Sequence, residues 1–374
     1  MIKNRYISLV LLCLLATTAF GQAKKIVRQT PVSQKKQTGK INNRREPQLI
    51  WWSLSNYHEG LLDVNSYNYK SGFIDKTGKF VIPYKWESAG IFSEGLAHVE
   101  DDNGKYGFID KMGKLVISCK WGYPGDFSEG LASVELNSKR GYIDKTGQLV
   151  VPCIWEDSYS FSEGLAKVKD ENDNYGFIDK TGKIVITCKW KFANNFSEGL
   201  AMVMDDNKYG YIDKTGTLVI PCKWKTDYFT RHMIGRFSDG LAIVLGDDGK
   251  YGFIDKSGTL VIPCKWKKAM PFQEGLALVE DDNNRYGFIN KTGQLVIPCE
   301  WQDGSSFSEG MARVEGDNYR YGFIDKAGKL VIPCKWEDVN SFSEGFAIVK
   351  NGVQDYSIIN KEGKIINNGI RYIR

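Results

Sequence analysis

The sequence predicts an all-β protein. It reads as tandem repeats of three-stranded antiparallel meanders stacked as an open solenoid or superhelix, with a closed β-propeller as the alternative architecture. Three observations carry this. Tryptophan recurs as Trp51, Trp86, Trp121, Trp155, Trp190, Trp224, Trp266, Trp301 and Trp336, at spacings of 34 or 35 residues with a single interval of 42. The 39 glycines and the 13% aromatic content suit many turns between short strands. No segment carries apolar residues at helical spacing.

Three parts follow in order. Residues 1–21 read as an export signal: Lys3 and Arg5 form a basic start, Ile7 to Leu15 an apolar stretch, and Ala19 and Gly21 the small residues before a cut at Gln22. The apolar stretch is shorter than the ~20 residues of a spanning helix, and no second one follows, so no transmembrane segment is expected in the mature chain. Residues 22–46 form a basic linker with almost nothing to bury, read as disordered. Residues 47–374 hold nine units of about 35 residues.

Charge follows the same division. Ten of the 50 cations but only one of the 45 acids precede Pro47, which leaves 40 cations against 44 acids in the repeats. A mildly acidic body argues against nucleic acid as a partner, because phosphate binding needs clustered cations.

Within a unit, Leu-Ala-x-Val reads as a first strand, followed by a polar turn such as Asp101-Asp102-Asn103-Gly104. Tyr-Gly-Phe-Ile-Asp reads as a second strand and Lys-Thr-Gly-Lys as a second turn, its glycine supplying positive φ. Leu-Val-Ile-Pro-Cys-Lys-Trp is the third strand. Alternation places Leu330, Ile332, Cys334 and Trp336 on one face and Val331, Pro333 and Lys335 on the other. Apolar residues on both faces need neighbouring units to cover them. The proline puts the third strand at an edge or a bend. The last copy degrades to Ile365-Ile366-Asn367-Asn368, with Arg371 where tryptophan is due, which reads as a polar cap on an open array.

The recurring Gly-Phe-Ile-Asp-Lys-x-Gly-Lys-x-Val-Ile-Pro-x-Lys-Trp and Phe-Ser-Glu-Gly-Leu-Ala-x-Val elements resemble the bacterial WG-repeat family, also called KWG repeats. The resemblance covers Trp51 to the C-terminus. The Trp-Gly dipeptide itself occurs only at Trp121-Gly122. The resemblance implies an all-β, often exported scaffold for interactions, with no catalytic residues to carry over.

Candidate chemistry is weighed against that repetition. Cys119, Cys153, Cys188, Cys222, Cys264, Cys299 and Cys334 occupy one repeat position. Their odd number, and the Cα separation below about 7 Å that a disulfide needs, favour unpaired thiols packed with the repeated tryptophans as structural core. No spacing suits zinc. The carboxylate before the glycine (Glu59, Glu94, Glu129, Glu163, Glu198, Asp239, Glu274, Glu309, Glu344) is expected to accept N–H bonds in its own turn or to pair with the lysine after the aspartate. The Asp of Ile-Asp-Lys is expected to close an Asx turn, since Asn290 and Asn360 replace it. The pairs Asp101-Asp102, Asp205-Asp206, Asp247-Asp248 and Asp281-Asp282 lack calcium-loop spacing and read as solvated turns. His58, His98 and His232 sit at unrelated repeat positions, and no nucleophile or phosphate motif is present. The clearest break in the repeat is the insert after Trp224, so Tyr228, Arg231 and His232 are the candidate ligand-binding residues. The expectation is a non-enzymatic, exported scaffold without cofactor or metal, located in the periplasm, at the cell surface or outside the cell. It would bind a protein or an envelope glycan; the glycan alternative uses the repeated aromatics.

Overall fold

A computed structural model describes residues 56–66, 68–225, 235–352 and 355–371. The export segment, the linker, Trp51 and the insert residues Tyr228, Arg231 and His232 lie outside the described residues. Units are numbered here from the aromatic of each Phe-Ser-Glu-Gly turn: Tyr57, Phe92, Phe127, Phe161, Phe196, Phe237, Phe272, Phe307 and Phe342.

The described residues are all-β, in many small antiparallel sheets. The second unit shows the pattern. Leu96–Glu100, Tyr106–Asp110 and Leu115–Trp121 form the expected meander. A fourth strand of two residues, Ser88–Ala89, precedes it and pairs with Glu100 and Val99. The meander is therefore a four-stranded sheet in most units, and no alternation in Glu87-Ser88-Ala89 announces the extra strand. In unit 3 a single bridge, Gly122 to Glu135, stands in its place. At unit 6 the third strand of unit 5, Leu218–Lys225, reaches across to pair Lys225 with Leu245.

The third strand departs from simple alternation. It slips register against the second strand twice, between the pairings Tyr106–Trp121, Phe108–Ile117 and Ile109–Leu115. The bulges turn both leading side chains outward. Leu330 and Val331 are thus both exposed, where alternation placed Leu330 inside with Ile332 and Trp336. The same bend explains the glycine of Tyr-Gly-Phe. A Cβ on Gly107 would lie 2.3 Å from the Ile117 carbonyl oxygen and 2.8 Å from the Cys119 nitrogen, so only glycine lets the two backbones approach.

The core lies between units. Leu96, Phe108, Ile117 and Trp121 of unit 2 pack with Phe127, Ala132, Val134 and Ile143 of unit 3. At each such junction the second-strand aromatic meets the turn aromatic of the next unit, as in Phe108–Phe127 at 4.9 Å and Phe253–Phe272 at 4.8 Å between centroids. Five of the repeated tryptophans are buried (Trp86, Trp121, Trp155, Trp266, Trp336), whereas Trp190, Trp224 and Trp301 are half-buried. The seven described cysteines are free and half-buried rather than fully buried. The degenerate last unit still forms its third strand, Ile365–Arg371. Its Ile348 and Ile358 are fully buried in one cluster with Tyr57, Leu62, Val64 and Ile74 of unit 1.

Candidate functional site

The residues that recur in every copy are engaged in holding units together. In each Ser-Glu-Gly-Leu turn the carboxylate residue and the glycine both have positive φ, 52° and 88° at Glu94 and Gly95, as a two-residue hairpin of the mirror type requires. The carboxylate does not serve its own turn. It accepts the N–H of the glycine one unit further on: Glu59 from Gly95, Glu94 from Gly130, Glu129 from Gly164, Glu163 from Gly199, Glu198 from Gly240, Asp239 from Gly275, Glu274 from Gly310, Glu309 from Gly345, and Glu344 from Gly60, at 2.6 to 3.0 Å. The lysine after the aspartate pairs with the same carboxylate, as Lys111 does with Glu59 and Lys76 with Glu344, both at 2.9 Å. Partial desolvation pushes the Glu59 and Glu129 carboxyls up, but the lysine and the glycine N–H outweigh it and hold both below the usual carboxylate range. Serine adds a third link, donating to the carbonyl of the next unit's turn aromatic, from Ser93 to Phe127 and from Ser343 to Tyr57.

The other repeated polar residues are structural as well. Asp213 Oδ1 accepts the hydroxyl and N–H of Thr215 and the N–H of Thr217, and Asn290 makes the same bonds to Thr292 and Gln294. Such Asx turns need an acceptor, not a charge. Burial pushes the thiols up, to about 11 at Cys188 and Cys299. Alkylation near neutral pH is therefore expected to be slow at all seven cysteines in the folded protein and rapid after denaturation. Fast labelling of the folded protein, read by mass spectrometry, would contradict this. Asp102 and Asp282 pair with Lys70 and Lys250 of the preceding unit, and no cluster of three or more metal-ligating side chains occurs among the described residues.

Unit-specific chemistry gathers elsewhere. The third residue of Leu-Ala-x-Val varies across the units, with only isoleucine occurring twice: Asp63, His98, Ser133, Lys167, Met202, Ile243, Leu278, Arg313 and Ile348. Its carbonyl accepts an N–H from the segment just before the Phe-Ser-Glu-Gly turn, as in Gly125 to Ser133, Tyr159 to Lys167, Asn194 to Met202 and Met270 to Leu278. Two variable positions are thus held side by side in units 2 to 5 and 7 to 9. Variation concentrated at this one place in a largely constant strand is the signal in the sequence that marks a site; the insert after Trp224 is a longer but separate break.

Two cavities open there. The first, of about 330 Å³, is lined by His98, Tyr106, Tyr123, Ser133, Arg140 and Ser158 among others. His98 Nδ1 stands 3.1 Å from Asp126 Oδ1, and Tyr123 is 66% exposed beside Arg140. The second, of about 400 Å³, is lined by Tyr159, Lys167, Asn194, Asn195, Arg236, Met270 and Pro271, and shares Tyr159 with the first. Lys167 is the unusual residue. It is buried, lies 3.7 Å over the Tyr159 ring and 5.1 Å from that of Tyr175, and donates to the Ala193 carbonyl at 2.9 Å.

Burial lowers the Lys167 ammonium to about 8, against weak upward pull from Asp157. An unfolded lysine titrates near 10.4, so the unfolded chain binds more protons between about 8 and 10.4, and stability rises with pH across that window. Lys167→Met is therefore expected to raise stability near neutral pH by up to about 3 kcal/mol, a gain that shrinks as pH rises through the window. Denaturation of both proteins across that pH range checks this; a gain independent of pH would refute it.

With this geometry in place, comparison with known proteins adds the following. The family described as WG containing repeat matches residues 72–106, 106–139, 141–174, 175–209, 209–251, 251–284, 286–319 and 321–352. No curated protein matches the chain. Among solved structures, the computationally designed Ika8 protein aligns at 12% identity and TM-score 0.43, covering 74% of this chain and 93% of its own. BamB from Moraxella catarrhalis aligns at 13% and 0.41, covering 75% and 94%. A complex of the dihydro-heme d1 dehydrogenase NirN with DHE aligns at 12% and 0.44, covering 83% and 74%. Likenesses this remote leave both the arrangement of the units and the function to the chain's own residues.

Proposed function

Because the chain belongs to the family of WG-containing repeats, we propose that it is a non-enzymatic, exported scaffold whose nine units close into a ring and present one asymmetric groove to a protein or cell-envelope ligand. The closed arrangement takes precedence here over an open solenoid. It is supported by the links between units 9 and 1: the Glu344 carboxylate on Gly60 and Lys76, the Ser343 hydroxyl on Tyr57, and Ile348 and Ile358 packed against Leu62, Val64 and Ile74. These repeat the contacts between consecutive units.

The single observation that carries the binding role is the division of labour within the repeat. The constant residues join units, while three of the side chains at the variable position, His98, Ser133 and Lys167, line the two adjoining cavities. A rigid frame with one variable face is a suitable basis for recognition. Catalysis finds less support, since the described thiols are held in their protonated form by burial. Export rests on the N-terminal segment, and an envelope partner on export together with the unsuitability of the acidic repeats for nucleic acid. Among the described residues no helix is long and apolar enough to cross a membrane.

A glycan is favoured among envelope ligands by Tyr123, exposed next to Arg140 and Ser133 at the first cavity. The repeated tryptophans are too enclosed to serve as a sugar-stacking row. Immobilised protein from Gln22 to Arg374 should capture material from envelope polysaccharide or protein extracts. Combined Tyr123→Ala and His98→Ala should abolish most of that capture with melting temperature retained. Capture unaffected by these changes would remove the groove from the account.

A further inference from the structure

We propose that the cavity between Lys167 and Arg236 binds a small hydroxylated carboxylate, of which an acidic monosaccharide such as a uronic acid is the fitting size. The proposal rests on the reading of this face as the recognition surface and gives it a ligand class.

Lys167 and Glu280 are the charged residues buried among the described ones. Glu280 is matched by Lys267 and Lys268. Lys167 makes no salt bridge among the described residues: Asp157 acts on it only from beyond contact, and its ammonium rests on aromatic faces and one carbonyl. A buried cation without a contacting counter-charge destabilises a fold, so its presence at a cavity wall suits an anion that arrives from outside. Arg236, just before the unit 6 turn, lines the same cavity, and no carboxylate lines it among the described residues. Two cations face this space, and among the described residues neither makes the kind of salt bridge that neutralises lysine elsewhere in this protein, so the space selects for negative charge.

The remaining wall narrows the class. Asn195 contributes a buried side-chain oxygen without a hydrogen-bond partner. A carboxylate alone cannot satisfy that acceptor, but a ligand hydroxyl can donate to it. Tyr159, Met270 and Pro271 supply an apolar side for the C–H face of a sugar ring. A space of about 400 Å³ accommodates one such ring rather than a long chain.

Calorimetric titration of the protein from Gln22 to Arg374 with D-glucuronate, D-glucose and hexanoate tests this. Glucuronate should bind at one saturable site, and glucose, lacking the charge, about tenfold or more weaker. Lys167→Met and Arg236→Gln should each weaken glucuronate by about tenfold. The melting temperature, measured in parallel, should be unchanged or higher for Lys167→Met. Asn195→Leu should weaken glucuronate but leave hexanoate unaltered. Equal binding of glucose and glucuronate, no binding of glucuronate, or undiminished binding by folded Lys167→Met would overturn the proposal. Envelope material captured equally by wild type and Lys167→Met, and not displaced by glucuronate, would overturn it too while leaving the scaffold role intact.

Discussion

Gly252→Ala is expected to destabilise the protein by about 3–5 kcal/mol, near the upper end for a single substitution. The added Cβ would stand 2.5 Å from the Ile262 carbonyl oxygen and 2.7 Å from the Cys264 nitrogen. Both are backbone atoms of the bulged third strand, so no side-chain rotation relieves the contact. Gly240→Ala is the informative control. Gly240 has φ +87° and nothing within 4 Å of its ideal Cβ, so it carries only the conformational penalty of about 1 kcal/mol. The last unit shows the same logic in natural form. Ser357 takes the glycine position there, buried, and the third strand of that unit has Asn368-Gly369 in place of Pro-Cys. Chemical denaturation of the two variants measures the difference. Equal costs would mean that the strands do not approach as closely as described.

Ile358→Asp should have a comparable effect, on the order of 4 kcal/mol, because it places an unpaired carboxylate in the cluster shared by units 9 and 1. In an open array this residue would lie on a terminal face, where the same change costs about 0.5 kcal/mol or less. Ile366→Asp, at a side chain 41% exposed, supplies the reference for a surface change in the same unit. A ring therefore predicts a large gap between the two variants, and an open stack predicts almost none.

Much of the fold was legible in the sequence because repetition multiplies each signal. The three main strands, the edge position of the proline strand and the Asx turns follow from residue types whose preferences are local. Contacts between units were not legible in the same way. Glu94 resembles a turn residue serving its own hairpin, yet its partner is Gly130, 36 residues on. Leu330 alternates correctly with Ile332, and only the bulge, a property of two strands together, turns it outward. Ile365-Ile366-Asn367-Asn368 looks like a cap because the strand alone cannot say whether Ile358 meets solvent or Tyr57. The site was missed for a related reason. Lys167 is one exchange among many until the fold places it beside Tyr159, Tyr175 and Arg236.

Closure of the ring is tested most directly by a cross-link between its ends. The Asn340 amide donates to the Asn56 side-chain oxygen at 2.8 Å, across 284 residues of sequence. With both replaced by cysteine, a short bismaleimide cross-linker applied to dilute protein, followed by peptide mapping, should recover a cross-link joining peptides that contain positions 56 and 340 of one chain. A folded double variant that yields no such peptide, or forms it only between chains, would contradict a closed ring of nine units.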